Sequence, residues 1–272
     1  MPFTISHAAA ALPFRRARLI PSALVVGTFA PDLVYFVRLQ SGGGWGHTIP
    51  GALGMSLPLG LITVWIFHRF VKTPVVYLLP DRVRARLTAE LVPFRFGTLR
   101  RFLLITLSLL IGIATHLLWD ALTHPQYGIV ARLRFLWIPV RLPVLGWEPW
   151  YEVLQLISTL VGIAAIATWC LLWFLHARPA DRISANPLSP RRRLLIACLI
   201  LTASLLGALL RARIVIGYPT NMDMLYDFVE RFVVMFGTMT WWQLAMWGAF
   251  GPFPRLYRDA RVDTRTPTTA ER

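Results

Sequence analysis

The apolar segment FLLITLSLLIGIATHLLWDALTH, residues 102–124, carries His116 and Asp120 four positions apart. That spacing puts both side chains on one face of a helix, with His124 a turn further on and rotated partly away. A carboxylate near the middle of a membrane helix costs roughly 2.5–3.5 kcal/mol to insert, so an ionisable residue there points to function by default. Mutual satisfaction of the two groups inside a packed bundle is the structural alternative. On this helix alone the two readings have comparable weight.

Three residues elsewhere shift that balance. Asp32 follows Pro31 in an apolar stretch, and His47 stands in Gly46-His47-Thr48-Ile49-Pro50. Fourteen residues separate His116 from Phe102 and Asp32 from Arg18, about 21 Å of helix in each case. Both stretches start at arginines, so Asp32, His116 and Asp120 are expected at one depth, with His47 in the loop beside them. Imidazole nitrogens and carboxylate oxygens are the ligand mix of zinc or manganese hydrolytic sites. His7 is less securely placed. If Ser6–Phe14 folds back as a helix from Arg15–Arg18, His7 lies about 12 Å from the turn, short of Asp32, and Ser6 reads as an N-cap.

The elements that must position these groups are membrane helices. The chain has 272 residues, 56% apolar and 15% charged, with a mean hydropathy of +0.56, whereas soluble domains carry about 25% charged residues. Apolar runs fall at Leu19–Val37, Pro50–Phe70, Phe102–Trp119, Val153–Leu175, Leu194–Leu210 and Phe228–Phe250. Each approaches the roughly 20 residues a span needs. The first, with Asp32, and the short fifth are marginal. With both ends cytoplasmic, six spans place 21 of the 28 basic residues inside and 6 outside, with Arg231 in the sixth span. That alternation follows the positive-inside rule, so the net charge of +15 is topological and no nucleic-acid partner is expected. Arg15, Arg16 and Arg18 before an apolar stretch resemble a signal peptide, but Pro21, Pro31 and Asp32 interrupt it and the segment is read as retained.

The remaining polar residues read as structural. Cys170 and Cys198 lie in apolar runs and read as packing residues, too few and wrongly spaced for a disulfide framework. Val83, Leu87 and Leu91 suggest a short amphipathic helix on the cytoplasmic leaflet. Trp137, Trp147, Trp150 and Tyr151 suggest a headgroup belt. Glu148 and Glu152, at i, i+4, offer a general base but fit an acidic first helical turn better, as do Asp223 and Asp227 after Asn221. Arg38, Arg211 and Arg213 have the geometry to hold a phosphate, although snorkelling explains them as well. His68 and His176 end spans on the basic side and read as interfacial.

The segments MPFTISHAAAALPF, LIPSALVVGTFAPDLVYF, GHTIPGALGMSLPLG and THLLWDALTH together resemble the bacterial membrane family catalogued as domain-of-unknown-function family 4184. The resemblance is specific from residue 1 to about Tyr151 and mainly hydropathic beyond. Its pattern of an early His, a Pro-Asp, a His-Thr and a HxxxD is similar to that of YdjM-like inner-membrane proteins, described as metal-dependent hydrolases. These in turn look distantly like the all-helical zinc-dependent phospholipase C fold. Carried over by position, the resemblance implies His7, Asp32, His47, His116 and Asp120 as ligands of one or two divalent metals, zinc or, as an alternative, manganese.

The expected fold is therefore an all-α polytopic membrane bundle of about six spans, with a phospholipase C-like helical metal site in its N-terminal half. One integral membrane domain is expected over 1–272, divided into a metal-site half (1–151), additional membrane helices (152–254) and a basic disordered tail (255–272). The expected function is a metal-dependent hydrolase of the bacterial plasma membrane, both termini cytoplasmic, acting on a lipid or lipid-linked ester or phosphoester. The rival is a non-enzymatic transporter or scaffold whose polar residues form a buried hydrogen-bonded cluster. The prolines Pro21, Pro31, Pro50 and Pro58 crowd into the first quarter without a later counterpart, unlike the paired interrupted helices of transporters.

Overall fold

In the computed structural model, residues 4–40, 44–87, 94–125, 128–143, 146–180 and 186–251 are described. The chain begins with a 3-10 helix, Thr4–Arg16, and continues into α1 (Pro21–Gly27), a 3-10 turn at Ala30–Asp32 and α2 (Leu33–Arg38). After the turn Gly44–His47 comes the long helix α3 (Ile49–Leu78), which contains two π-helical turns, Ala52–Ser56 and Phe67–Val71. The short α4 (Asp81–Arg84) precedes α5 (Leu99–Thr123) and α6 (Ile129–Arg132). Strands β1 (Pro139–Leu142) and β2 (Gly146–Pro149) pair antiparallel, and α7 (Trp150–His176), α8 (Pro190–Ile216) and α9 (Met222–Phe250) complete the fold. All-α is thus the class, with one two-stranded sheet among the described residues.

Among the described residues four helices, α3, α5, α7 and α8, are long and apolar enough to cross a membrane, where six spans were expected. The first expected span is not one helix. Pro31 has no N–H to continue an α-helical ladder, and the chain turns through Ala30–Asp32 instead. The sixth run is a 29-residue helix, α9, but Thr238, Thr240 and Gln243 lower its hydropathy. Two of these are matched by α8: Thr240 Oγ1 donates to Ser204 Oγ (2.9 Å) and Gln243 Nε2 donates to the same oxygen (2.8 Å).

Several starts follow ordinary capping chemistry. Asn221 accepts from Met224 N (2.8 Å), and Thr98 and Ser189 accept from Arg101 N and Arg192 N (both 3.4 Å). These side chains satisfy donors that a helix leaves unpaired in its first turn. Asp223 lies in the first turn of α9 and Glu152 in that of α7, as the dipole argument expects. Glu148 is in β2, so its helical pairing with Glu152 does not exist.

The chain divides into two compact units. The first comprises Met1–Arg38, Gly42–Val64 and Phe96–His176. Within it, α1 runs parallel to α5 through a glycine–glycine crossing. A Cβ on Gly27 would collide with the Leu109 carbonyl, and one on Gly112 with the Leu24 carbonyl. Such close approach is how small residues join membrane helices. Along the crossing Ile20 N donates to Ser108 Oγ (2.9 Å), and Ala23, Leu24, Ile105 and Leu109 are almost fully buried. The 3-10 helix returns antiparallel to α1 and packs its Ser6 backbone where a Cβ on Gly162 of α7 would stand.

The second unit comprises Leu39–Ser41, Trp65–Arg95 and Ala177–Arg272. Arg193 donates through Nη1 and Nη2 to the two Asp81 oxygens, each at 3.0 Å, and through Nη1 to Leu79 O at 3.0 Å. These guanidinium bonds hold the Asp81 carboxyl below its ordinary pKa. Arg211 donates to Leu39 O (3.4 Å), and Arg213 lies over the Tyr218 ring (3.1 Å), local contacts that agree with the interfacial reading. Cys170 and Cys198 are free thiols and exposed, not packed inside, because α7 and α8 present most of their apolar surface outward. The amphipathic pattern at Leu91 and the basic tail at 255–272 lie outside the described residues.

Gly112→Val is expected to destabilise the protein by about 1–3 kcal/mol through overpacking, read as a lower thermal midpoint in detergent. Gly54→Val, whose Cβ would meet only the Trp45 ring at 3.8 Å, should leave it unchanged.

Candidate metal centre

The α1–α5 register carries polar groups of four segments to one place. Asp32 ends the 3-10 turn, His116 and Asp120 lie one helical turn apart on α5, and His47 ends the turn before α3. His7 arrives from the N-terminal 3-10 helix. Its nine residues down to Arg16 span about 18 Å at the 3-10 rise of roughly 2.0 Å, against about 13.5 Å for an α-helix. The stretched helix supplies the reach that an α-helical reading lacked. Thr4 Oγ1 therefore donates to Asp32 Oδ2 at 2.8 Å, and Thr4 lies at the level of Asp32, a full helix length from Arg15 and Arg16.

The five expected residues converge. His47 Nε2, His116 Nε2 and Asp120 Oδ2 form a triangle with sides of 3.1, 3.2 and 3.2 Å. Asp32 Oδ1 stands 3.3 Å from His47 Nε2 and 3.7 Å from His116 Nε2. His7 Nε2 is 3.4 Å from Asp120 Oδ1, and its ring stacks on His116 with centroids 4.1 Å apart. Two overlapping triads, His7/His116/Asp120 and Asp32/His47/His116, each offer ligand atoms within 4.8 Å of one another. His116 is fully buried, His7 and Asp32 nearly so.

The tautomer of His116 decides what such a cluster can do. Its Nδ1 lies 2.8 Å from the carbonyl oxygen of Thr28, which can only accept, so Nδ1 carries the hydrogen and donates. Neutral His116 then aims the Nε2 electron pair at two carboxylates and a second imidazole. A backbone carbonyl that fixes the far nitrogen is the usual support of a metal-bound histidine. For bonds of 2.0–2.1 Å, the ligand–ligand edge of a tetrahedron is about 3.3 Å, close to the separations seen. Asp32 Oδ1 and Asp120 Oδ1 are buried without a hydrogen bond, a costly arrangement unless a cation or proton is shared. The donor set and its geometry thus fit a divalent metal.

Without a metal, a proton takes the same position. Burial by itself lowers the pKa of His47, but the Asp120 and Asp32 carboxylates, 3.1 and 3.3 Å from its Nε2, outweigh it and raise the group from 6.5 to about 9.

Sequence reasoning set His124 aside as rotated away and missed two further partners. His124 lies with Nδ1 3.4 Å from Asp120 Oδ1, because α5 stops at Thr123 and the extended backbone of His124 redirects the ring. Its i, i+4 relation to Asp120 is the same signal that paired His116 with Asp120. Gln155 Nε2 donates to His124 Nε2 (3.3 Å), and no spacing rule could have found it. Thr28 contributes a backbone carbonyl, invisible to residue type. His68 and His176 take no part: His68 stacks on Phe94 (3.8 Å), and His176 Nδ1 contacts Leu172 O (2.6 Å).

The sequence matches the family described as "Domain of unknown function (DUF4184)" over residues 1–249, and the chain belongs to that family. No curated protein and no solved structure matches it.

In metal-free protein, the raised His47 pKa stabilises the fold fully below about pH 6.5, and that contribution is lost as pH rises through about 9. Histidine NMR titration after chelation should show the His47 imidazole still protonated at pH 8. Asp120→Asn should move that resonance to a lower pKa, and an unmoved value would separate His47 from Asp120.

Proposed function

We propose that this chain is a membrane-embedded metal-dependent hydrolase of the bacterial plasma membrane, acting on a lipid or lipid-linked ester or phosphoester. One observation carries the reading: His47 Nε2, His116 Nε2, Asp120 Oδ2 and Asp32 Oδ1 converge at ligand-edge distances while the Thr28 carbonyl binds the other nitrogen of His116. Those four residues hold the ion, and His7 flanks it as a fifth donor. Because Nδ1 of His116 is engaged, only Nε2 remains to ligate. The two triads share that nitrogen, so the chain binds at least one metal there, zinc or, as an alternative, manganese.

A bound divalent ion supplies a Lewis acid and a water acidic enough to yield hydroxide near neutral pH. The chain's own groups do the positioning. Thr28 sets the His116 tautomer, Thr4 holds the outer oxygen of Asp32 (2.8 Å), and the apolar walls from Ile113 and Ala30 keep bulk water out. The ends carrying Arg15, Arg16, Arg100 and Arg101 face the cytoplasm by the positive-inside rule, and the site lies toward the opposite leaflet.

Burial favours a second reading. The side chains of His7, Asp32, His47, His116 and Asp120 are no more than 5% exposed, and structural metal sites are closed whereas catalytic ones keep a position open. In that reading the ion only clamps the N-terminal hairpin to α5.

Detergent-purified full-length protein should retain about one zinc or manganese ion per chain, lost in His116→Ala. It should cleave a phospholipid or fluorogenic phosphodiester in a way that chelation abolishes and added metal restores. Retained metal with no hydrolysis and a chelator-sensitive thermal midpoint would establish the clamp instead, and a metal-free, chelator-insensitive protein would remove both.

A further inference from the structure

The segment joining α5 to α7 has a composition that neither reading of the metal centre uses. It leaves the end of α5 that carries Asp120 and His124, opposite Arg100 and Arg101 at the helix start. Beyond His124, only Val130 and Leu136 are buried among its described residues, at 0% and 4% exposure. Those two anchors and a bond from Trp137 Nε1 to Val130 O (3.0 Å) fix the segment to its own unit, and Trp150 N donates to Ile138 O (3.2 Å). Around the anchors, Phe135, Ile138 and Trp147 are 57%, 55% and 68% exposed. Arg132, Arg134 and Arg141 are exposed as well.

Strand register sorts these groups. Arg141 pairs directly with Trp147 across the hairpin, and both are exposed. Directly opposed residues share a face of the sheet, their Cβ atoms about 5 Å apart. Val140 and Glu148 form the other, half-buried face. A two-stranded hairpin is marginal in water by itself, and this one shows an indole and a guanidinium side by side outward. Indoles settle at headgroup depth, and guanidinium groups pair with phosphate oxygens.

Charge supports the same occupant. The segment carries three arginines, Arg132, Arg134 and Arg141, with Glu148 its single acidic residue, at the end of α5 opposite Arg100 and Arg101. Positive charge on that side runs against the general bias and needs a reason of its own.

We propose that the rim formed by Arg132, Arg134 and the Arg141–Trp147 face of the hairpin is a binding surface for anionic phospholipid headgroups beside the metal centre. Its aromatic and aliphatic groups enter the acyl boundary while the three arginines engage phosphates. The surface stands on its own residues and does not depend on metal binding or hydrolysis.

The test is lipid enrichment. Full-length protein is reconstituted in vesicles of equal phosphatidylcholine and phosphatidylglycerol, extracted in neutral detergent, and the co-purifying lipid is quantified. A lysine or arginine near an anionic surface is worth about 1 kcal/mol, or roughly fivefold, so the native chain should enrich phosphatidylglycerol at least about tenfold. Arg141→Gln should lower that several-fold, and R132Q/R134Q/R141Q should bring it near unity, each with an unchanged thermal midpoint in neutral detergent. Arg191→Gln with Arg192→Gln, at the basic end of α8, should leave it intact. Equal retention of both lipids by the native chain, persistence of enrichment in the triple variant, or its loss only in the α8 variant would each overturn the proposal.

Discussion

The hydrogen bond between the His116 imidazole and the Thr28 carbonyl, 2.8 Å long and buried, is the constraint on which the centre depends. It fixes which nitrogen of His116 has a free electron pair, and it ties the end of α1 to the middle of α5 at one depth. Asp32, four residues beyond Thr28, then falls beside Asp120, four residues beyond His116. The glycine crossing at Gly27 and Gly112 makes that bond reachable, since a side chain at either position would hold the backbones apart. Local tautomer, helix packing and cluster geometry are thus parts of one arrangement.

The outcome is a set of electron-pair donors with few hydrogens among them, enclosed by apolar side chains. In so dry a place the carboxylates need positive charge close by. Either a divalent ion or a proton on His47 meets that need. The same enclosure separates the two functional readings, because a centre this closed has to admit a substrate before it can act on one.

Much of the site was legible in the sequence. His116, Asp120, Asp32 and His47 were readable from residue type, hydropathy and a depth computed at 1.5 Å per residue. That estimate succeeded for Asp32 even though Pro31 breaks the helix, because only a few residues beyond α1 leave the α-helical rise. It failed for His7, whose segment adopts the longer 3-10 rise that no periodicity announces. His124 was misjudged because its ring direction depends on where α5 stops, and Gln155 and the Thr28 carbonyl because they follow from packing and backbone. Hydropathy could not foresee that Thr240 and Gln243 of α9 meet Ser204 of α8, nor the hairpin between Pro139 and Pro149.

Metal-edge X-ray absorption on the purified full-length protein tests the central claim most directly. The account predicts a first shell of nitrogen and oxygen alone at about 2.0–2.1 Å, with outer-shell scattering from two or more imidazoles that disappears in part in His47→Ala. Sulfur in the first shell, or a spectrum without imidazole scattering, would contradict it.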